Sequence, residues 1–555
     1  VGAQYVDVPN TNEDASYSPS NEYLGHFNSE TCYRYVDTPT ETPAAGKTAT
    51  DYKRFQISGA ATGRRCGDGF SGNFLNWASS SAIDMLRVAL SGGDRSIDET
   101  GLTILQRAVL PNGDPTCMWN SNNFPAKKLL KGKDGDYAGA IPQAMIKAAK
   151  GADSVWVANT LNRIYFSTTK GGNCNATGTY NLSGPDATLA MDTPVSKNGP
   201  LPKPTPPACA AESGTCTSST VKEIWYGAGN RWMVAPFRGT VGCNNATFTD
   251  PASGVGKSCY IFDYAGSWTP PGSGGTPLNS DGFFYARAEV CNKSGSDLVD
   301  QRDFNLCTRY PNGNYKPTGT IQKYNDQLRL AAFGYALEQT LSWDGNKGGR
   351  YGGVLRAPMK FVGPRTYDVT GGENTPTGGN PATEWDALTG IYRDNPDGDT
   401  TFGVSGVINY LNKFGRTGPT PGRYKQYDPA SELYYESLRY LQGLPPSPAA
   451  VANLDLTNAS QKAFYDGFPI YRDWKELDPY GGARARTSDY SCLKSNIALI
   501  GDINTWDSRY GTGNNGNSRM ATTDIAKNVP DIERWISVVQ AFEKAQAMSY
   551  VDGQA

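Results

Sequence analysis

Apolar positions recur at helical spacing in only a few stretches of this chain. Over 73–91, Ala78, Ala82, Met85, Leu86 and Ala89 share one face, and Gly92-Gly93 ends the run. The spacing predicts one helix there, and a second, short one at Gly101–Ala108. DPASELYYESLRYL (428–441) predicts another, with Asp428 as N-cap, Pro429 at the first helical position, and Leu433, Tyr434, Ser437, Leu438 and Leu441 on one face. Residues 403–415 read as helical, 323–340 as a helix or a helix-strand pair, and Val354–Val362 as extended. The last helix starts at Pro530, with Ile532, Trp535, Val539 and Phe542 as its apolar stripe. Asn496–Ile500 shows no alternation, the mark of a central strand covered on both faces, and it runs into Asp502. This order of helix, strand and helix predicts an α/β domain with a mostly parallel sheet.

Residues 111–322 differ from the rest. They are rich in Gly, Ser, Pro, Asn and Cys, and contain a linker-like NGPLPKPTPPACAAESG. The runs SVWVANTLNRIYFST, RWMVAPFRGTV and KSCYIFDYA read as strands, so the segment is expected to be a mostly β insertion. At 555 residues the chain is too long for one hydrophobic core. Division into 1–110, 111–322 and 323–555 follows, with no internal repeat.

Eleven cysteines occur singly, with no CxxC, which argues against zinc ribbons and for disulfides in an oxidising compartment. Eight lie inside the insertion: Cys117, Cys174, Cys209, Cys216, Cys243, Cys259, Cys291 and Cys307. They are expected to pair among themselves and Cys32 with Cys66, leaving Cys492 free or bonded outside the chain. Lys and Arg total 52 against 54 for Asp and Glu, a balance that gives no electrostatic case for nucleic acid or an anionic membrane. No apolar run reaches the roughly 18–20 residues of a membrane helix. The first residue is Val1, without Met or leader, so the chain is expected to be a processed or truncated form.

Enzyme chemistry finds little support. His26 is the single histidine, which removes HExxH zinc sites and most nucleophile–His pairs; it reads as a packing or hydrogen-bonding residue. GxSxG, P-loop and GxGxxG motifs are absent. A pair of carboxylates for glycoside hydrolysis would be invisible in sequence. DNPDGD (394–399) has calcium-like oxygen spacing without the downstream Glu of an EF-hand, and reads as a turn. Trp77 and Trp535 are assigned to the core. Trp225, Trp232 and Trp268 are candidates for exposed binding aromatics, with buried packing favoured.

Seven collinear blocks carry a resemblance: YLGHFNSETCYRY (23–35), FSGNFLNWASSSAIDMLRVALSGGDR (70–95), GGVLRA (352–357), NPATEW…TGIYRDNPDG (380–398), SGVINYLNKFG (405–415), YKQYDPASELYYESLRYL (424–441) and CLKSNIALIGDINTW (492–506). In these the chain resembles the N-terminal region of the type IV pilus tip proteins of the PilC/PilY family. The resemblance implies an open von Willebrand factor A-like sheet with helices on both faces, interrupted by the disulfide-rich insertion. The family's calcium-binding β-propeller is not in this sequence, so the chain is expected to be an N-terminal fragment. The implied role is a non-enzymatic, exported pilus-tip adhesin that primes assembly with minor pilins, opposes retraction and mediates attachment to a host or abiotic surface and surface sensing. The alternatives are a structural cap on the minor-pilin complex and, more remotely, a secreted carbohydrate-active enzyme.

Such domains hold Mg²⁺ or Ca²⁺ through an Asp-x-Ser-x-Ser loop, a Thr or Ser from a second loop and an Asp from a third, all hard oxygen donors. Asp502 matches the third loop, and Ser431 or Asp428 is the candidate for the second. The first loop is missing from residues 1–22, so it lies upstream or has been lost. Asp502 reads equally as a strand-end cap, Ser431 as a first-turn helix residue and Asp428 as an N-cap.

Overall fold

The computed structural model describes residues 17–110, 126–167, 207–263, 283–337, 353–480, 493–501 and 532–544, with short gaps inside these stretches. The first sheet has six strands in the order β3-β1-β2-β14-β5-β4: β1 Thr31–Val36, β2 Arg54–Ala60, β3 Phe70–Ser71, β4 Arg95–Glu99, β5 Leu102–Gln106 and β14 Arg287–Val290. Alternation in TCYRYV and RFQISGA turns Tyr33 and Phe55 inward, both fully buried. Phe55 meets Phe27, Phe70 and Phe284 edge-on or stacked, with ring centroids 5.5, 5.1 and 5.9 Å away, so one aromatic cluster holds the sheet. The Cys32–Cys66 disulfide closes it at the edge.

Two local expectations are corrected here. The helix expected over 73–91 is two helices, α1 Gly72–Ser79 and α2 Ala82–Ser91, broken where Ser80 turns extended (φ −73°, ψ 147°). Three consecutive serines favour capping over continuation: the Ser81 hydroxyl accepts from the Asp84 amide at 3.4 Å, and the Asp84 carboxylate accepts from the Ser81 amide at 3.1 Å. Gly92 ends α2 at φ +86°, where a Cβ would lie 2.4 Å from the Pro317 carbonyl. The helix expected at Gly101–Ala108 is instead β5, paired antiparallel to β4. Thr103 and Ile104 suit a strand, and Gly101 at φ +79° supplies the turn.

Among the described residues of 111–322, strands predominate. Strands β6 Lys127–Leu130, β7 Ser154–Thr160, β8 Arg163–Ser167 and β13 Phe284–Tyr285 form one antiparallel sheet, with helix α3 (Gln143–Ala148) beside it in sequence. Strands β9 Ala210–Ala211, β10 Thr215–Ala228, β11 Arg231–Gly242 and β12 Ser258–Asp263 form a second, in the order β11-β10-β12-β9, with the short helix α4 (Asn245–Phe248). This second sheet has its own core of Ile224, Tyr226, Val241 and Phe248 and its own disulfides, Cys209–Cys216 and Cys243–Cys259. A further disulfide, Cys291–Cys307, joins the end of β14 to β17 (Cys307–Arg309), which pairs with β18 (Tyr315–Pro317); β15 Lys293–Ser294 and β16 Asp297–Leu298 form a small hairpin between. Cys117, Cys174 and Cys492 lie outside the described residues. β14 comes from within 111–322 yet sits between β2 and β5 of the first sheet, so the insertion is threaded into the N-terminal module rather than hung from it.

After helix α5 (Thr320–Lys323), strands β19 Arg329–Tyr335 and β20 Gly353–Phe361 form an antiparallel ribbon packed against α6 (Val407–Lys413) and α7 (Ala430–Leu441), with α8 (Ala459–Lys462) further on. Among the described residues the one parallel strand pair is β14 with β2, so the mostly parallel sheet expected from sequence is not what these residues form. Asn496–Ile500 is likewise corrected. It has no regular secondary structure and joins no described ladder, and Leu499 and Ile500 are each 46% exposed. Its apolar composition fits burial between two neighbours, and no described strand supplies either. Helix α9 (Ile532–Glu543) exists as expected, with Val539 and Phe542 exposed.

Candidate functional site: a buried polar joint

A buried polar cluster lies where α2 and β4 meet residues 314–322, 389–392 and 411–416. β4 reads RSIDE, so Arg95 and Asp98 do not share a face by simple alternation. A register shift between Arg95 and Ile97 brings the two together. The Arg95 guanidinium lies 3.6 Å from the Tyr392 ring centroid, pairs with Asp98 at 2.9 Å and donates to the carbonyls of Gly390 and Pro317. Asp98 also meets the Lys316 ammonium at 2.6 Å and accepts from the Tyr392 amide at 2.9 Å. Lys316, with its side chain fully buried, donates in addition to the Glu99 carbonyl and the Thr103 hydroxyl. Burial opposes ionisation of Asp98, but Arg95 and Lys316 outweigh it and hold the carboxyl below its ordinary value. Burial pushes Lys316 down and the Tyr392 hydroxyl up.

A second wing completes the joint. Arg416 grips the buried Asp94 carboxylate with two nitrogens, at 2.7 and 2.5 Å. Arg87 donates to the Leu411 and Phe414 carbonyls and stacks over the Phe414 ring. Ser91 donates to Asn412, Gln322 donates to the Ser91 carbonyl, and the Tyr424 hydroxyl donates to the Val109 carbonyl. These contacts bind the helix ends of the later module to the N-terminal sheet.

The DNPDGD turn is organised by its own oxygens. Asn395 accepts from the Asp399 amide and the Ser405 hydroxyl, at 2.8 and 2.7 Å, and Asp399 accepts from the amides of Thr401, Phe402 and Gly403. The cation beside it is a side chain: the Lys360 ammonium touches Asp397 and lies 3.0 Å from Glu384. Glu384 also accepts from the amides of Val407 and Ile408 at the start of α6. Sequence reading noticed the turn and missed Lys360 and Glu384. Lys360 is the signal that was available, a lone ammonium in the otherwise apolar second half of GVLRAPMKF.

Of the residues proposed from sequence as metal ligands, Asp428 and Asp502 fall outside the described residues. Ser431 is the second residue of α7, and its side chain is not among those described. No group of three or more His, Cys, Asp or Glu suited to a metal occurs among the described residues. His26 is buried and packs at a tilt against Phe27, ring centroids 4.4 Å apart, with neither ring nitrogen hydrogen-bonded. It lines a cavity of about 30 Å³ together with Asn28, Val88, Leu105 and the Cys291–Cys307 disulfide. Trp77 is core, and Trp225 is half-buried. Trp268 lies outside the described residues, and the side chains of Trp232 and Trp535 are not described.

Comparison with known proteins supplies the class. Residues 14–130 match the family model described as the PilY1 homolog small alpha/beta domain, which spans α1, α2 and most of the first sheet. Two curated proteins of Xylella fastidiosa strain Temecula1, both called type IV pilus biogenesis factor PilY1 homolog, are similar over most of the chain. One is 29% identical over 512 residues and the other 23% over 516, each covering 88% of this chain. The chain is thus similar to PilY1 homologs over most of its length. It spans 30% and 26% of the length of those two relatives. No solved structure matches it, and no described helix is long and apolar enough to cross a membrane.

Proposed function

We propose that this chain belongs to an exported type IV pilus factor, acting at the pilus tip with minor pilins. The observation that carries this reading is collinear similarity to two type IV pilus biogenesis factors over 88% of the chain. The joint around Arg95 and Asp94 and the four described disulfides suit a part that bears tension, because crosslinked and ion-paired segments extend little when pulled. Within this role we favour adhesion and surface sensing through the insertion, since loops on a rigid scaffold commonly carry recognition. The second reading is a structural cap for the minor-pilin complex.

Excision of 207–263, the sheet with its own core and disulfides, separates the two. An adhesin loses surface attachment and keeps its pili; a cap loses pili. Deleting all of 111–322 would not serve, because it removes β14 from the first sheet.

The same proposal includes a von Willebrand A-like fold, with Asp502 and Ser431 or Asp428 offering oxygens to Mg²⁺ or Ca²⁺. A melt in EDTA and then in added metal tests it. Metal at a hundredfold excess over Kd stabilises by about 2.7 kcal/mol, and the gain should vanish in Asp502→Ala. No gain in the parent chain removes the metal from the proposal.

A further inference from the structure

Lys360, Asp397 and Glu384 form a buried triad whose chemistry goes beyond an ion pair. Their side chains are 12%, 7% and 0% exposed. The Lys360 Nζ is in direct contact with Asp397 Oδ1 and lies 3.0 Å from Glu384 Oε1, so one amine faces two carboxyls from opposite roles. Asp397 Oδ2 is buried and accepts no hydrogen bond. Val362 and Trp385, beside the triad in the chain, and Val407 and Ile408, whose amides donate to Glu384, belong to one apolar cluster. Two ions held in such a place carry a desolvation cost that a neutral product would not.

We propose that Lys360 and Asp397 become joined by an intramolecular amide bond, with Glu384 carrying the proton. The ingredients are an amine, a carboxyl carbon within reach, a third group able to hold a proton, and exclusion of water. Burial raises the affinity of Glu384 for a proton, with Asp397 adding to the effect and Lys360 and the two helix amides opposing it.

The step balances without any co-reactant. Proton transfer within the triad turns ammonium and carboxylate into amine and carboxylic acid. The Nζ lone pair attacks Cγ of Asp397, Glu384 takes a proton from the nitrogen and returns it to the departing hydroxyl, and water leaves. One C–N bond forms, one C–O bond breaks, and nothing is oxidised. Fixed proximity supplies the effective concentration that free amine and acid lack, and removal of two buried charges favours the product. The bond would close a loop between residues 37 apart and fasten β20 to the 394–399 turn. It would do so whether or not the chain acts on a pilus.

Mass spectrometry of the purified, reduced and alkylated chain tests this. The expected result is a mass one water below that of the sequence, together with a branched tryptic product that joins the Lys360 peptide to the Asp397 peptide. A full sequence mass with linear peptides overturns the proposal. So does loss of water without a branch, because Asp397-Gly398 can cyclise to a succinimide and lose the same water. Glu384→Gln should fold, by circular dichroism, yet show the full mass; a branched product in that variant removes Glu384 from its role. Should Glu384→Gln fail to fold, the parent chain's mass and peptide map still decide whether the bond exists.

Discussion

His26 is the residue whose environment makes the sharpest prediction. Its imidazole is buried and unpaired, so burial lowers its pKa from 6.5 to about 4, with Asp84 pulling up and Arg107 pushing down. A depressed histidine contributes stability that is full above its unfolded pKa and is lost as pH falls through the folded one. Stability should therefore drop between pH 6.5 and about 4, by about 3 kcal/mol, and His26→Phe should remove that slope in denaturant titrations. Asp98 acts in a separate window. Its carboxyl sits below 3.8, so its contribution is lost only at still lower pH. Asp98→Asn at neutral pH leaves Arg95 and Lys316 buried without their anion and should cost about 3–5 kcal/mol, read as a shift in denaturant midpoint. The sequence marked His26 by its rarity, but could not mark Asp98: one aspartate among many becomes special only when Lys316, 218 positions on, reaches it.

At the scale of elements, local chemistry was readable and neighbours were not. The Ser81–Asp84 capping box is a pattern of two residues three apart, and Ser81→Ala should cost about 1 kcal/mol in a thermal melt. Apolar periodicity ran through the serines and hid the break, because α1 and α2 both bury a face. β5 was misread for the opposite reason. LTILQ fits a turn of helix until β4 is seen to pair with it. Asn496–Ile500 shows the limit most clearly, since composition states that a segment suits burial but not what buries it. The disulfides allow a graded test. Loop closure assigns about 4 kcal/mol to Cys32–Cys66, whose partners are 34 positions apart, and about 2 kcal/mol to Cys209–Cys216, whose partners are 7 apart. Double Cys→Ala variants should melt in that order.

At the scale of the whole molecule, the resemblance was legible because seven short blocks keep their order, while the route of the chain between them was not. The boundary drawn at 111–322 follows a real change in composition, yet β14 crosses it to stand between β2 and β5. Removing 207–263 alone should leave the melting transition of the remainder nearly unchanged, whereas removing 283–291 as well should abolish it, as followed by circular dichroism. The buried joint was the least legible part. Its partners are single Arg, Asp, Lys and Tyr residues on segments with no motif of their own.

The joint also fixes an order of events during synthesis. Asp94 meets its guanidinium only when residue 416 exists, Ser91 waits for Asn412, and Asp98 waits for the ammonium of Lys316. An N-terminal module made early therefore carries unpaired buried charges until much of the remaining chain has been made. Such a nascent chain gains little by closing up ahead of time, which favours assembly in one late, concerted step.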